Sequence, residues 1–372
     1  FNYFPQLFKP AMSPLQLLIK VGRLAVVQSP RIASRAASST AASTDKWSNL
    51  KGRHFLTLRD YSESEIAQLL WTAKDLKARH AQDRLLSYRP LEGHSLGMIF
   101  EKRSTRTRVS TETGFFLLGG QPVFLSPQDV HLGTNESLPD TAKVLSGFCD
   151  AVLARVYAHD SLMTLSEHSS VPIVNGLSDQ YHPLQVLADF LTAYENFGHL
   201  NGLVWAFVGD GDNNMTHALL DDGLPQAGHI RIASPAGYDP NPAVVQDARE
   251  LSRQYGTQLV LTRDPAEAVR GADVIVTDTF VSMGREAEKE RRLKDFKGFQ
   301  VKLQPGGAHA KPRWVFMHCL PRKQEEVTDD IFYDSKRSLV WPESHNRKWT
   351  VMSVLLNVLN DQYRPACPMP SF

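Results

Sequence analysis

Cysteine is scarce in this chain: Cys149, Cys319 and Cys367 are the three among 372 residues. They are far apart and odd in number, which argues against a disulfide framework and for a reducing compartment. Net charge is nearly absent as well, at +1 from 41 Lys and Arg against 40 Asp and Glu. That balance gives no reason to expect a nucleic-acid partner. Long apolar runs are missing. The stretch over residues 15–27 is interrupted by Lys20 and Arg23, too short and too charged to span a bilayer. Acidic residues are missing altogether from positions 1–44, where Lys9, Lys20, Arg23, Arg31 and Arg35 are basic and Ser and Ala accumulate. This composition is that of an organelle transit peptide, with a secretory signal or a flexible tail as rival readings. Translation from Met12 would leave a compact transit peptide. We expect 1–44 to take no part in the fold.

What is present from Trp47 onward is an alternation of helical and strand-like segments. "SESEIAQLLWTAKDLKARHA" spaces Ile66, Leu69, Leu70, Ala73 and Leu76 as a helix with a capping-type serine at its start. "SLGMIF" reads as a buried strand, and strand runs follow in "QPVFL", "DAVLARVY" and "VPIVNG", with helical segments between most of them. After the helical "HPLQVLADFLTAYENFG" the pattern begins again with "GLVWAFVGD", "HIRIASP", "QLVLTRD", "ADVIVTDT" and "WVFMHCLP". Alternation of this kind predicts α/β architecture with parallel sheets covered by helices. Two parallel-sheet units joined by one helix is the economical reading, and a final amphipathic helix, "NRKWTVMSVLLNVLNDQY", is expected to pack back across the body.

The chemistry concentrates where strands end. "FEKRSTRTRVSTETG" puts Ser104, Thr105, Arg106 and Thr107 between a strand and a helix. Helix N-terminal N–H groups, hydroxyls and a planar guanidinium together suit a phosphate; a solvated basic turn is the plainer reading of the same residues. Arg155 falls at a strand's C-terminal end, where parallel sheets gather ligands, though a surface arginine is an even alternative. His182 precedes a helix-starting proline and Gln185 lies one turn on. The pair would donate to a polarised carbonyl oxygen, and His182 alone reads equally as a helix cap. In the second unit, "FVGDGDNNMTH" supplies a glycine turn, then Asn213 and Asn214, without a full dinucleotide fingerprint. Asp278, Ser282 and Met283 stand at another strand edge, where the carboxylate would hold an ammonium group. Cys319 stands at a third, and by itself a lone cysteine reads as inert packing. Arg347, in "PESHNRKW", is a further possible anion partner.

"STRTR", "HPLQ", "DTFVSMG" and "HCLPRK" occur together and in this order. With them the chain resembles, over about residues 50–363, the ornithine-using members of the aspartate/ornithine transcarbamylase family, of the animal mitochondrial type. The resemblance implies transfer of a carbamoyl group from carbamoyl phosphate to the δ-amine of ornithine, as in the urea cycle and arginine biosynthesis. It implies that Ser104, Thr105, Arg106 and Thr107 bind the phosphate. Arg155, His182 and Gln185 then bind the carbamoyl end, with Arg347 assisting, and Asn214, Asp278, Ser282 and Met283 hold ornithine. Cys319 and the Leu320 carbonyl lie near the attacking amine, and Arg106, His182, Asp278 and Cys319 form the catalytic group. The implied protein is a homotrimer of the mitochondrial matrix with no metal or organic cofactor. Its expected organisation is a transit peptide at 1–44, a carbamoyl phosphate domain at 45–183, and an interdomain helix at 184–198. An ornithine domain at 199–344 and a C-terminal helix and tail at 345–372 complete it.

Three segments depart from the family pattern. "GDGDNN" has one residue more than the "GDGNN" of the animal enzymes, which would shift Asn214. "LLDDGLPQAG" and "QPGGAHAKP" put Pro and Gly where helix is expected, at about 3 kcal/mol for a proline inside a helix. These departures leave open a paralogue that binds carbamoyl phosphate without turning it over. A nicotinamide-linked dehydrogenase is a further alternative, but it would need the glycine fingerprint that is missing.

Overall fold

The computed structural model describes residues 47–126, 136–282, 285–303, 310–370 and 372; of residues 222, 224–227 and 286 it describes the backbone alone. The transit-type segment, Met283 and most of "QPGGAHAKP" therefore lie outside the described residues. In chain order the elements are α1 (Glu63–Asp83), β1 (Ser95–Phe100), α2 (Thr105–Leu117), β2 (Gln121–Leu125), α3 (Leu138–Phe148), β3 (Ala151–Arg155), α4 (His159–His168) and β4 (Ile173–Leu177). Then come α5 (Pro183–Phe197), β5 (Leu203–Val208), α6 (Asn214–Ala227), β6 (Gly228–Ala233), α7 (Pro242–Tyr255), β7 (Leu259–Thr262) and α8 (Pro265–Val269). The last are β8 (Val274–Thr277), α9 (Lys289–Asp295), β9 (Val315–His318), α10 (Asp329–Phe332) and α11 (Val340–Leu359).

The first sheet has the order β2-β1-β3-β4 and the second β7-β6-β5-β8-β9. Every pairing between these strands is parallel. The inner strands β3, β5 and β8 are buried along their whole length, which explains their continuous apolar runs, whereas the edge strands β2 and β7 are partly exposed. In each sheet the order reverses beside a central strand, between β1 and β3 and between β5 and β8. A crevice opens at such a reversal, beyond the carboxyl ends of the strands. The residues after β1, β3, β5, β8 and β9 all gather on those edges.

One apolar cluster runs from Phe100 and Leu153 of the first sheet, through Leu187 and Phe190 of α5, to Trp205 and Phe207 of the second. Helix α11 enters this cluster with Val351, Met352, Leu355 and Leu356 and packs on α1, α2 and α5. It begins at Val340, before the predicted start, and its residues from Trp349 to Leu359 are all buried. The expected amphipathic face is absent because neighbours surround the helix. Polar residues that suggested a wet side are satisfied inside: Ser353 Oγ donates to the Leu69 carbonyl at 2.6 Å, and Asn357 Nδ2 to Thr72 Oγ1 at 3.2 Å.

The expected break at "LLDDGLPQAG" does not occur, since α6 stays helical to Ala227. Gly223 has a packing reason: a Cβ there would come within 2.6 Å of Ile230 Cδ1 on β6. The turn with the additional residue also closes tightly. A Cβ on Gly211 would meet the Tyr238 carbonyl oxygen at 2.4 Å, and Asn213 still caps α6 by accepting from Thr216 N at 2.9 Å.

Candidate active site

Helix α2 opens on Ser104, whose hydroxyl accepts from Thr107 N at 3.2 Å. The serine oxygen caps the helix, and its hydroxyl hydrogen remains a donor. Thr105 and Arg106 stand in the open first turn, where N–H groups lack intrahelical partners. Thr107 is buried, and its Oγ1 accepts from Arg347 Nη2 at 3.4 Å. Arg155 ends β3 as a buried residue.

Arg106, Arg155 and Arg347 converge here. Burial, together with the other two guanidinium groups, pushes Arg155 down to about 10; burial and Arg106, partly offset by nearby acidic groups, do the same to Arg347. Nε of Arg155 and Nε of Arg347 are buried without a hydrogen-bond partner among the described residues. Guanidinium groups stay charged, so the pocket holds concentrated positive charge whose energy falls when an anion enters.

His182 precedes Pro183 at the start of α5 and makes no side-chain cap. Arg347 Nη1 lies 3.1 Å from its Nε2. Because guanidinium only donates, Nε2 accepts and the imidazole proton sits on Nδ1. That nitrogen is buried with no partner among the described residues. Burial first, then Arg347, Arg155 and Arg106, hold His182 well below the usual imidazole range. It is a neutral donor lying beside three guanidinium groups. Gln185 is arranged differently from the expected free donor. Its Oε1 accepts from Arg347 Nη1 at 2.6 Å, and its Nε2 donates to Asp189 Oδ1 at 2.9 Å and Glu343 Oε1 at 2.8 Å.

Across the crevice, Asp278 follows β8 and Cys319 follows β9. The Cys319 thiol donates to Asp278 Oδ1 at 3.1 Å. Burial raises Asp278, and burial together with that carboxylate raises Cys319 well above the usual thiol range. Such a thiol is not a nucleophile at neutral pH. Leu320 adopts a left-handed φ of 61°, which costs a non-glycine residue about 1–3 kcal/mol. Its carbonyl accepts a hydrogen bond from Arg106 Nη2, so the two sheet edges touch through a predicted pair of site residues. His318 holds the turn from behind. Its Nδ1 accepts from Leu320 N at 2.9 Å and its Nε2 donates to Glu326 Oε2 at 3.1 Å. Ligand-type atoms of Asp278, His318 and Cys319 lie within 4.8 Å of one another, but both imidazole nitrogens are already engaged.

Asn214 donates from Nδ2 to the Ser178 carbonyl at 2.8 Å, a second bridge between the edges. Ser282 lies on the segment after β8, with its carbonyl accepting from Arg285 N at 3.0 Å. Asp189, Glu343, His318 and Glu326 were not singled out from the sequence. A signal existed for two of them: Asp189 stands four residues after Gln185, and Glu343 four before Arg347, one helical turn in each case.

Comparison with known proteins agrees with this architecture. Residues 53–195 match the aspartate/ornithine carbamoyltransferase carbamoyl-P binding domain, and residues 201–358 the Asp/Orn binding domain. The chain belongs to the aspartate/ornithine carbamoyltransferase family. It is 55% identical over 327 residues to the mitochondrial ornithine carbamoyltransferase of the frog Aquarana catesbeiana, covering 88% of this chain and 92% of that protein. It is 53% identical over 324 residues to the mitochondrial ornithine transcarbamylase of the chicken Gallus gallus, covering 87% and 90%. Among solved structures, the ornithine carbamoyltransferase of Pyrococcus furiosus superposes with a TM-score of 0.80 at 44% identity, covering 84% of this chain and 99% of that one.

Proposed function

We propose that this chain transfers the carbamoyl group of carbamoyl phosphate to the δ-amine of ornithine, releasing phosphate and citrulline. The observation that carries the reading is the convergence of Arg106, Arg155 and Arg347 beside Thr107 and His182, facing Asp278 and Cys319 across one crevice. A phosphate dianion has its counter-charges on one wall, and an amino acid's ammonium has a carboxylate on the other.

In this reading Ser104, Thr105, Arg106 and Thr107 bind the phosphate at the start of α2. The Nδ1–H of His182 and the guanidinium of Arg155 meet the carbamoyl oxygen, while Gln185 Oε1 and the Leu320 carbonyl accept from the carbamoyl nitrogen. Arg106 would then exchange its bond to Leu320 for the phosphate, with Arg347 behind it. Asp278 holds the α-ammonium of ornithine, with Asn214, Ser282 and Met283 around the rest of its amino-acid end. The neutral δ-amine attacks the carbamoyl carbon near Cys319. The new C–N bond forms as the carbonyl becomes an oxyanion, which Arg106, Thr107 and His182 stabilise by about 3–4 kcal/mol per well-placed donor. Collapse breaks the C–O bond to phosphate, which leaves toward α2, and the amine's proton goes to solvent or phosphate. Cys319 positions; it forms no bond.

The domain division we favour is 45–183 for carbamoyl phosphate, 184–198 as the connecting helix, 199–344 for ornithine, and 345–372 packing back. Large apolar side chains stand exposed around the first sheet, at Leu86, Phe116 and Phe148, which supports a homotrimer through that unit. Residues 1–44 as a transit peptide, with relatives named mitochondrial, support a matrix location. Among the described residues no helix is long and apolar enough to cross a membrane. Colorimetric detection of citrulline decides the activity, with aspartate and N-acetylornithine offered as competing acceptors. Product from ornithine alone is expected; no product from any acceptor would sink the proposal.

A further inference from the structure

Gln185 has no spare donor. Both hydrogens of its amide go to carboxyl groups on two helices, Asp189 on α5 and Glu343 on α11, each only 1% exposed. The second oxygen of Glu343 accepts from the backbone N–H of His318 at 2.8 Å, at the end of β9 and directly before Cys319 and Leu320. One buried acidic side chain thus touches both the amide behind the arginine pocket and the strand edge opposite it.

We propose that Asp189 and Glu343 are positioning residues acting as a pair, fixing the Gln185 amide from two helices and tying the Cys319–Leu320 edge to the arginine pocket. The inference rests on the reading of that pocket as a carbamoyl phosphate site.

Two carboxylates that share one amide nitrogen repel each other unless one carries a proton. Both accept from the same nitrogen, Gln185 Nε2, at 2.9 and 2.8 Å in a site closed to water, so the pair favours holding one proton between them. Burial raises both groups, and the Asp189 charge raises Glu343 further. The charged and titratable groups facing the pair are Arg347 from α11, Asp278 from the end of β8 and Cys319 from the end of β9. The singly protonated pair carries one negative charge, enough to orient Gln185 and Arg347 without cancelling the pocket. When pH rises past the raised value, the proton leaves and a second negative charge appears beside the arginines. Affinity for a phosphate dianion then falls. The ligand contributes little to this slope above about pH 7, because a phosphate's second ionisation lies near 6.

Calorimetric titration of the full enzyme with carbamoyl phosphate between about pH 7 and 9, beside Asp189→Asn, Glu343→Gln and Glu343→Ala, separates this role from simple packing. Glu343→Ala should weaken binding about tenfold or more, as loss of hydrogen bonds to charged groups does, and Glu343→Gln should recover most of that loss. The wild-type Kd should rise across the range, while both amide variants, unable to gain the second charge, should stay level. A wild-type slope that survives in both amide variants would overturn the proposal, and so would equal losses from Glu343→Gln and Glu343→Ala. If Glu343→Ala does not melt cooperatively, the slopes of the amide variants alone decide. A wild-type enzyme that binds no carbamoyl phosphate at any pH would instead refute the functional reading beneath it.

Discussion

Arg106 and Arg103 stand three residues apart and differ in what surrounds them. Arg106 reaches Leu320 across the crevice, whereas Arg103 is exposed. An aimed donor in a dry site is worth far more than a charge in solvent. Arg106→Ala should therefore lower kcat/KM about a hundredfold or more. Arg103→Glu should cost less than about threefold, and salt should erase most of that. Equal losses in initial-rate assays would mean that a diffuse positive field binds the anion. Lys102 is the poorer control, although it looks peripheral in sequence: its ammonium lies 4.6 Å from the Tyr157 ring centroid and it senses Arg155. Asp278 carries a second prediction at this scale. Its carboxyl is raised by burial, so its charged form is disfavoured by the fold. The cost is absent below the unfolded value near 3.9, grows as pH rises through the folded value, and is fully present above it. Asp278→Asn should consequently raise Tm at neutral pH while ornithine use collapses and calorimetric carbamoyl phosphate affinity holds. A variant that melts lower, or that loses both ligands together, would contradict this division.

Among the elements, α9 performs a task that its length does not advertise. Arg292, almost wholly buried, donates to Asp210 Oδ2 at 2.6 Å and to the Phe280 carbonyl at 3.1 Å. It thereby joins the turn after β5 to the segment after β8, the two edges that carry the proposed ornithine residues. Breaking a buried pair from one side leaves an uncompensated charge, costing about 3–5 kcal/mol. Arg292→Met should show that loss in chemical denaturation, and adding Asp210→Asn should restore a good part of it. Additive losses in the double variant would mean that the pair is not coupled. The strands of both sheets were legible as apolar runs, because period and composition are local. The full extent of α11 was not. Its polar residues resemble a wet face until α1, α2 and α5 supply partners for them.

For the whole molecule the decisive variable is pH. Ornithine's δ-amine resembles a lysine amine, and only its neutral form attacks; the free value is about 10.4. The arginines remain charged, and His182, held well below its ordinary range, remains neutral. Neither creates an acid limb at neutral pH. With one deprotonation limiting, kcat/KM for ornithine should climb nearly tenfold per unit between about pH 6 and 9. A flat profile, with chemistry shown to be rate-limiting, would rule out attack by the free amine. A slightly alkaline compartment would favour this reaction for that reason.

The sequence by itself determined the alternation of elements, the strand edges at which chemistry gathers and the types of donor found there. Ser104 to Thr107 at a helix start and His182 before Pro183 are legible because capping and helix entry are set by neighbours in the chain. The tertiary structure alone decided which edges face one another. Arg106 meets Leu320 from 214 residues away, Arg347 meets Gln185 from 162, and Gln185 meets Glu343 from 158. It also decided which acids lose their water. Asp189 and Glu343 read as ordinary helical acids in sequence and become a buried pair on one amide nitrogen only when α5, α11 and β9 close over them. Burial, not residue type, sets the energy of a charge, and burial is a property of the packed molecule.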